Sequence, residues 1–365
     1  MSALMRRLGG GTLGRHLAVV LAAGAVLLLA TLAFGPFNDL RIATGAYLFA
    51  ALAGLTLLTG VNGQISLGHG GLIAVGAYTS ALLIGNDHWA LVPALIASIV
   101  VTAAVGLLLG AAAARLRGPY LAGATLAFAL GLPGVFNRFA GTFGGNNGLT
   151  TNPPTPPSSL GSSFALERWQ AWIACLGALV VLFVLLNLTR NGVGRAFRAV
   201  RDDEVASSLC GISVPRTQVL AFVISAACGG MAGALYVEVQ NLAAPGAFDL
   251  TLSLSLLTGV VVGGLGSLTG AALGAALLVM LPAWSTDIAN SLSLSTQVSA
   301  NLPLAIYGVV LIGAMLVAPG GIQGLLSAGA RRLPFPGRAA QSTITLPPAE
   351  ANAPRQIINT RGGEK

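Results

Sequence analysis

Charged residues are scarce in this 365-residue sequence, since only 8% are Asp, Glu, Lys or Arg. A soluble domain carries about 25% charged residues. Hydrophobic residues make up 55% of the chain, and the mean hydropathy is +0.81. Because so little polar surface cannot cover this apolar mass in water, the composition excludes a soluble enzyme, a coiled coil and a disordered protein. It predicts a polytopic membrane protein.

Lysine is almost absent, since the only one is the last residue, Lys365. A phosphate-binding loop of the Walker type and a Schiff-base lysine both need a lysine inside the fold, so neither can exist here. The cysteines Cys175, Cys210 and Cys228 are isolated and predict neither a disulfide framework nor a metal site. The sequence also contains no carboxylate pair or nucleophile elbow. We therefore expect a chain that is not an enzyme and that binds no cofactor of its own.

Apolar runs long enough for membrane-spanning helices recur along the chain. They lie at 17–37, 42–61, 65–84, 91–114, 120–136, 169–188, 219–240 and 302–318. A further run, 251–282, is too long for one span and short for two. The sequence predicts an all-α polytopic membrane protein, a bundle of about 8–10 transmembrane helices with discontinuous or re-entrant segments near 60–71 and 259–270.

The net charge of +8 is carried by arginines that cluster in alternate loops. If the N-terminus is inside, the inner side receives most of them, and the outer side receives only Arg41, Arg138 and Arg168. The positive-inside rule therefore predicts cytoplasmic N- and C-termini, and it explains the basic charge without nucleic acid. We divide the chain into a cytoplasmic tail 1–16, a membrane domain 17–330 with a cytoplasmic loop 189–218, and a disordered cytoplasmic tail 331–365.

Two glycine-rich segments, 60–71 and 259–270, interrupt the apolar runs. Irregular backbone at membrane depth is tolerated only where it is buried in protein or lines a cavity, and paired breaks are typical of a transport path. We predict that polar side chains in these segments contact a transported substrate. These residues are Gln64, Ser66, His69, Ser267 and Thr269. The alternatives are a flexible external turn at the second break and a purely structural hydrogen bond for His69.

The loop 189–218 is the longest charged stretch between spans. Val205, Leu209 and Ile212 recur at helical spacing, which predicts a short helix with one apolar stripe. Acidic residues suit the first turn of such a helix, and a glycine can end it. Its acidic centre favours a protein partner, such as an ATPase, over lipid, although an ordinary solvated loop is the alternative. The predicted coupling residues are Arg195, Arg198, Arg201, Asp202, Asp203, Glu204, Val205, Leu209 and Gly211.

Motifs in family order across 60–325 resemble those of the LivM-type permease subunits of bacterial branched-chain amino acid ABC importers. The matching stretches are Gly63–Gly71, Gly76–Tyr78, Tyr120–Leu121, Thr125–Phe128, Gly144–Thr150, Gly194–Glu204, Gly211–Ile212, Ala221–Phe222, Gly233–Tyr236, Gly263–Ser267 and Pro319–Ile322. The sequence departs from the family pattern at Ala122–Ala124, at Ala129–Gly131 and at Asn146. These departures bear on the substrate.

The resemblance implies a multi-pass protein of the bacterial inner membrane that imports leucine, isoleucine and valine. Its partners would be a second, LivH-like permease, two cytoplasmic ATP-binding subunits that hold ATP and magnesium, an extracytoplasmic binding protein and membrane lipid. The segment 194–212 matches the cytosolic helix that couples to the ATPase. Urea, short amides and other amino acids are alternative substrates.

Two other transporter classes stay open at this stage. A gradient-driven transporter normally needs a membrane-buried carboxylate. The candidates in the second half, Glu238, Asp249 and Asp287, all lie near predicted span ends. A passive channel would show a ring of charges or a filter motif, and the sequence has neither.

Overall fold

A computed structural model describes residues 12–85, 87–116, 119–152, 155–158, 164–291, 302, 305–306, 308–309, 312–313 and 321–324. Within this described part of the chain, seven helices are long and apolar enough to cross a membrane. Two shorter apolar helices, His69–Gly85 and Leu268–Trp284, accompany them. The predicted all-α polytopic fold is confirmed.

The described helices are labelled here in chain order. They are α1 (Thr12–Ala33), α2 (Pro36–Leu55), α3 (His69–Gly85), α4 (Leu91–Ala113), α5 (Pro119–Arg138), α6 (Ala140–Phe143), α7 (Leu166–Arg190), α8 (Gly192–Asp202), α9 (Glu204–Leu209), α10 (Val214–Gln240), α11 (Leu250–Gly263) and α12 (Leu268–Ser291). Two short strands, β1 (Leu149–Thr150) and β2 (Leu242–Ala243), pair in antiparallel fashion.

The predicted spans before residue 240 coincide with helices to within a few residues. The helix α1 begins at Thr12, inside the segment 1–16 that the sequence suggested as a tail. The third span is shifted, because helix α3 begins at His69 and not at residue 65. The predicted span 302–318 lies largely outside the described residues, and the predicted tail 331–365 lies wholly outside them.

The start of α2 follows from its local sequence. Gly35 is extended and precedes Pro36, whose fixed φ and missing N–H suit the first helical turn. Asp39 lies in that first turn, and its fully buried carboxylate accepts a hydrogen bond from Arg168 Nε at 3.2 Å. Because a buried charge is costly without a partner, this ion pair holds the ends of α2 and α7 together.

Helix α10 lies at the centre of the bundle and packs against α4, α3, α2 and α7. Glycines allow the closest of these approaches. A Cβ on Gly110 of α4 would lie 2.9 Å from Phe222 Cβ of α10, and one on Gly230 of α10 would lie 2.7 Å from the carbonyl oxygen of Ser98. Small residues let the helix backbones approach, so the core depends on shape as well as on apolar area.

Two breaks interrupt the helices where the sequence predicted them, although both are narrower than expected. Helix α2 continues as a π-helical turn, Thr56–Val61, and the chain is then irregular until His69. Helices α11 and α12 form a hairpin with its turn at 264–267. In that turn, Gly264 and Gly266 have φ values of +126° and +82°, which residues other than glycine rarely adopt.

Candidate functional site

The loop predicted to bind a partner forms two consecutive helices, α8 and α9, where the sequence predicted one. The side chain of Asn191 caps α8 by accepting hydrogen bonds from the backbone N–H groups of Val193 and Gly194. Asp203 ends α8 in extended geometry and caps α9, accepting from the N–H groups of Val205 and Ala206 at 2.8 and 3.0 Å. The acidic N-terminal turn expected from the sequence is therefore present.

The C-terminal end of α9 differs in one respect from the sequence prediction. Gly211 follows the helix with φ at +83°, as expected for a residue that ends a helix. The helix already stops at Leu209, so Ile212 lies outside it. The prediction of a single apolar stripe through Ile212 is wrong, because the glycine turn removes Ile212 from the helical register. The apolar face of α9 consists of Val205 and Leu209.

Helix α8 is anchored to the membrane helices. Its Phe197 and Val200 side chains are buried in the core. Arg198 Nη1 donates a hydrogen bond to the carbonyl oxygen of Thr189, the penultimate residue of α7, at 2.9 Å. A cation at the C-terminal end of a helix also interacts favourably with its dipole. The position of α8 is thus fixed from both sides, by apolar burial and by a charged cap.

Helix α9 presents its apolar pair outward. The exposed fractions are 69% for Val205 and 84% for Leu209. Glu204 Oε1 accepts a hydrogen bond from Gln218 Nε2 of α10 at 2.8 Å, which ties the start of α9 to the bundle. Exposed apolar side chains on a short anchored helix are typical of a surface that a groove on another protein covers.

The two helix breaks meet beside α8, although about 200 residues separate them in the sequence. A Cβ on Gly60 would overlap the backbone N of Gly266, and a Cβ on Gly321 would lie 2.5 Å from Gly264 Cα. We call these four residues the glycine junction. In the turn 264–267, Gly264 and Gly266 pack against backbone, whereas Leu265 between them is exposed, so the alternative of an external turn stays a prediction.

Arg201 connects α8 to the glycine junction. Its Nη1 donates a hydrogen bond to the carbonyl oxygen of Gly60 at 2.8 Å. The same guanidinium donates from Nε to Asp202 Oδ1 at 3.0 Å, and Nη2 lies 2.9 Å from that oxygen. A Cβ on Gly63 would lie 2.7 Å from Arg201 Cγ, so the arginine stem covers the start of the irregular segment.

Three of the predicted substrate residues lie in the interior, two of them in the irregular segment 62–68 and the third at the start of α3. The exposed fraction is 6% for Gln64, 1% for Ser66 and 0% for His69. Side chains of other helices accept hydrogen bonds from backbone N–H groups of this region. Leu67 N donates to Thr125 Oγ1 at 3.0 Å, and Gly70 N donates to Ser253 Oγ at 3.1 Å. Helices α5 and α11 therefore position this segment.

Several buried side chains here lack hydrogen bonds. Both amide atoms of Asn62 and of Gln64 make no side-chain hydrogen bond to the described residues. Neither ring nitrogen of His69 makes a hydrogen bond of good geometry, and its polar neighbour is the backbone of Ala51. More than about 90% of buried polar groups are paired in native proteins, so each of these three side chains is a candidate for contact with water or a polar ligand.

Ser267 and Thr269 do not share that buried environment. Ser267 is half-buried and Thr269 is exposed. Their hydroxyl oxygens lie 2.8 Å apart, and Ser267 Oγ accepts from Gly270 N at 3.3 Å, which caps the start of α12.

Asn62 was not singled out from the sequence, and its position two residues before Gln64 in the same break was the signal that could have identified it.

The opposite end of the bundle is closed by the pair of strands β1 and β2 and by aromatic rings. Tyr78 stacks on Phe136 with ring centroids 3.9 Å apart.

Glu238 lies near the end of α10, as expected, but it is buried, and its Oε1 has no partner among the described residues. Asp249 instead caps α11, accepting from Leu252 N at 3.1 Å. For Asp287 only its position in α12 is described.

Comparison with known proteins gives a consistent result. The family model described as "Branched-chain amino acid transport system / permease component" matches residues 38–318. The chain is 35% identical over 268 residues to the high-affinity branched-chain amino acid transport system permease protein LivM of Escherichia coli, covering 66% of this chain and 62% of that protein. It is 28% identical over 303 residues to LivH of Salmonella typhimurium, covering 79% of this chain and 94% of that protein.

A relative from another import system also matches. The chain is 32% identical over 210 residues to the autoinducer 2 import system permease protein LsrC of an Enterobacter species, covering 52% of this chain and 55% of that protein. The chain spans 62% of the length of the LivM relatives that it matches. No solved structure matches the chain.

Proposed function

The chain belongs to the family of permease components of branched-chain amino acid transport systems, and we propose that it is the LivM-type permease subunit of an ATP-driven importer for leucine, isoleucine and valine. Under this proposal it spans the bacterial inner membrane several times, with both termini and helices α8 and α9 in the cytoplasm. A LivH-like second permease, two ATP-binding subunits and an extracytoplasmic binding protein complete the assembly. ATP and magnesium are held by the ATP-binding subunits and not by this chain.

The exposed pair Val205 and Leu209 is the observation that carries this proposal. An importer subunit without a phosphate-binding lysine must receive work from another protein, and this pair offers an apolar contact on an anchored helix. In the proposed cycle, closure of the ATPase dimer displaces α9, and the displacement passes through α8 to the helix breaks. The spans then alternate between outward and inward access.

In this proposal Asn62, Gln64 and His69 contribute polar contacts to the passing amino acid. A zwitterion needs hydrogen-bonding groups for its carboxylate and its ammonium, and the unpaired amides can both donate and accept. Ser66, Ser267 and Thr269 were predicted in the same role. Of these three, Ser66 is buried in the same segment, whereas Ser267 caps a helix.

Reconstitution tests the transport function directly. The chain is placed in proteoliposomes with its partner permease, ATP-binding subunits and binding protein, and uptake of leucine, isoleucine and valine is measured, with urea and short amides as competitors. We expect uptake that requires ATP on the same side of the membrane as the ATP-binding subunits. Uptake driven by a proton or sodium gradient with this chain alone would contradict the proposal and would favour a role for the buried Glu238.

The coupling surface is tested by the double variant Val205→Asp/Leu209→Asp. Two carboxylates should not fit an apolar groove, so we expect the ATP-binding subunits to co-purify poorly and uptake to fall at least about tenfold, a change equivalent to 1.4 kcal/mol. Membrane insertion should be normal, because both positions are exposed. Ser213→Asp is the matched control, since it adds a carboxylate at an exposed position beside α9. Normal uptake in the double variant would contradict the assignment.

A further inference from the structure

We infer that Arg201 is the positioning residue that transmits movement of the partner-binding helix α9 to the broken segment 56–68, through its hydrogen bond to Gly60. This inference rests on the proposed function. It also divides the coupling residues predicted from the sequence into two groups. Val205 and Leu209 face outward, toward a partner, whereas Arg201 reaches inward and contacts the membrane helices.

The carbonyl oxygen of Gly60 needs a partner that its own helix does not supply. It lies at the end of the π-helical turn, where the last carbonyl groups have no intrahelical N–H to accept from. The backbone N–H groups of Asn62 and Gln64 fold back instead to Leu57 and Leu58. Gly60 is buried, so Arg201 Nη1 at 2.8 Å replaces the water that the carbonyl would otherwise bind.

Asp202 helps to orient the guanidinium of Arg201. Asp202 accepts from Nε and lies in contact with Nη2, which leaves Nη1 to point at Gly60. Arginine suits this arrangement because its donors form a rigid planar fork, whereas lysine has a single flexible ammonium. In this inference a movement of the end of α8 reaches Gly60 through the hydrogen bond from Arg201 Nη1.

The point of contact lies at the junction of the elements that would have to move. Gly60 is packed against Gly266 in the second break, and Gly321 is packed against Gly264. Gln64 lies four residues beyond Gly60. It is the first of three buried substrate candidates and is followed by Ser66 and His69. A displacement of Gly60 therefore acts on both breaks and on the unpaired amides together.

The linkage from α9 to Arg201 is short. Asp203 lies between the two helices in an extended conformation, with φ at −159° and ψ at 113°, and its side chain caps α9. Asp202, the ion-pair partner of Arg201, is the residue directly before it. A residue that transmits movement affects the coupling of hydrolysis to uptake, whereas a purely structural residue affects assembly as well.

The test uses the complete importer in proteoliposomes and compares Arg201→Met with Arg201→Lys and the control Arg216→Met. Arg216 is an exposed arginine at the start of α10, so the control removes the same charge near the same loop. Three quantities are measured: recovery of the ATP-binding subunits, substrate uptake, and ATP hydrolysed per substrate imported.

For Arg201→Met we expect normal recovery of the ATP-binding subunits, less than a twofold loss of hydrolysis and at least a tenfold loss of uptake. The ratio of ATP to substrate should therefore rise. Arg201→Lys should give a rise of about threefold, because a single ammonium cannot serve Gly60 and Asp202 with the geometry of the fork. Arg216→Met should match the unmodified complex.

A ratio for Arg201→Met equal to that of Arg216→Met would overturn the inference. So would a parallel loss of assembly, hydrolysis and uptake, which is the result expected of a purely structural residue. If Arg201→Met does not accumulate in the membrane, Arg201→Lys decides, and an unchanged ratio there overturns the inference. Absence of ATP-dependent uptake by the unmodified complex would instead overturn the proposed function, and the inference with it.

Discussion

Gln64 and Gln170 are both buried glutamines, but their side chains differ in what they contact. Gln170 Nε2 donates a hydrogen bond to the carbonyl oxygen of Glu238 at 2.8 Å and so ties α7 to α10. The Gln64 amide has no hydrogen-bond partner among the described residues. Burying an amide without a partner costs stability, which is consistent with the proposed role of Gln64 in contacting a ligand.

The same substitution at these two residues should therefore have opposite effects on stability. Gln64→Leu removes an unpaired buried amide and should raise the free energy of unfolding by about 1 kcal/mol, while uptake by the reconstituted complex falls. Gln170→Leu removes a hydrogen-bonded amide and leaves a carbonyl group unpaired, so it should lower the free energy of unfolding by about 1–3 kcal/mol.

Thermal unfolding of the detergent-solubilised chain and uptake in proteoliposomes measure the two effects. Gln170→Leu serves as the control, because it alters a buried glutamine outside the broken segment. Full uptake by Gln64→Leu would remove Gln64 from the proposed substrate path.

At the scale of elements, the division of the loop 189–218 into two helices depends on one side chain. Asp203 ends α8 and caps α9, a helix of six residues. Isolated helices shorter than about 12 residues are marginal in water, so α9 depends on its cap, on the Glu204 to Gln218 hydrogen bond and on its neighbours. The cap is therefore one of the contacts that keep Val205 and Leu209 on a helix.

Replacing Asp203 should loosen α9 without moving the membrane helices. Asp203→Ala removes the acceptor for two backbone N–H groups, at a cost of about 1 kcal/mol, whereas Asp203→Asn retains an acceptor. We expect faster amide hydrogen exchange over 204–211 in the alanine variant and near-normal exchange in the asparagine variant. Unchanged exchange in Asp203→Ala would mean that packing alone forms α9.

At the scale of the whole molecule, α10 joins the two ends of the bundle. It begins just after α9 and ends at Gln240, immediately before β2. Since a helix rises about 1.5 Å per residue, its 27 residues extend about 40 Å, enough to cross a bilayer. The surface with Val205 and Leu209 and the pair of strands β1 and β2 therefore lie near opposite ends of α10.

The native cysteines offer a direct test of this orientation. Cys210 is exposed beside α9, whereas Cys175 and Cys228 are buried. A membrane-impermeant maleimide should label Cys210 in inverted membrane vesicles and not in intact cells, because the positive-inside rule predicts that this loop is cytoplasmic.

The control for the labelling experiment is Asp87→Cys in a Cys210→Ser background. Asp87 is exposed between α3 and α4, on the side that the same rule places outside. This variant should be labelled in intact cells. Labelling of Cys210 in intact cells would reverse the orientation and would exclude α9 as a cytoplasmic partner surface.

Local chemistry in the sequence was sufficient to predict much of this molecule. Spans follow from the length of apolar runs, the acidic start of α9 from the preference of carboxylates for the first helical turn, and breaks from clustered glycines. The sequence did not predict that Asp203 divides the loop, because the spacing of Val205, Leu209 and Ile212 also fits one continuous helix.

The sequence by itself determined that this chain lies in a membrane, where its helices run and where they break, because each of these depends on neighbours along the chain. Only the tertiary structure decided that the two breaks touch at Gly60 and Gly266, that Arg201 turns inward to Gly60, and that the amides of Asn62 and Gln64 have no partner among the described residues. These features depend on backbone approaches between residues far apart in sequence, which residue patterns along the chain do not encode.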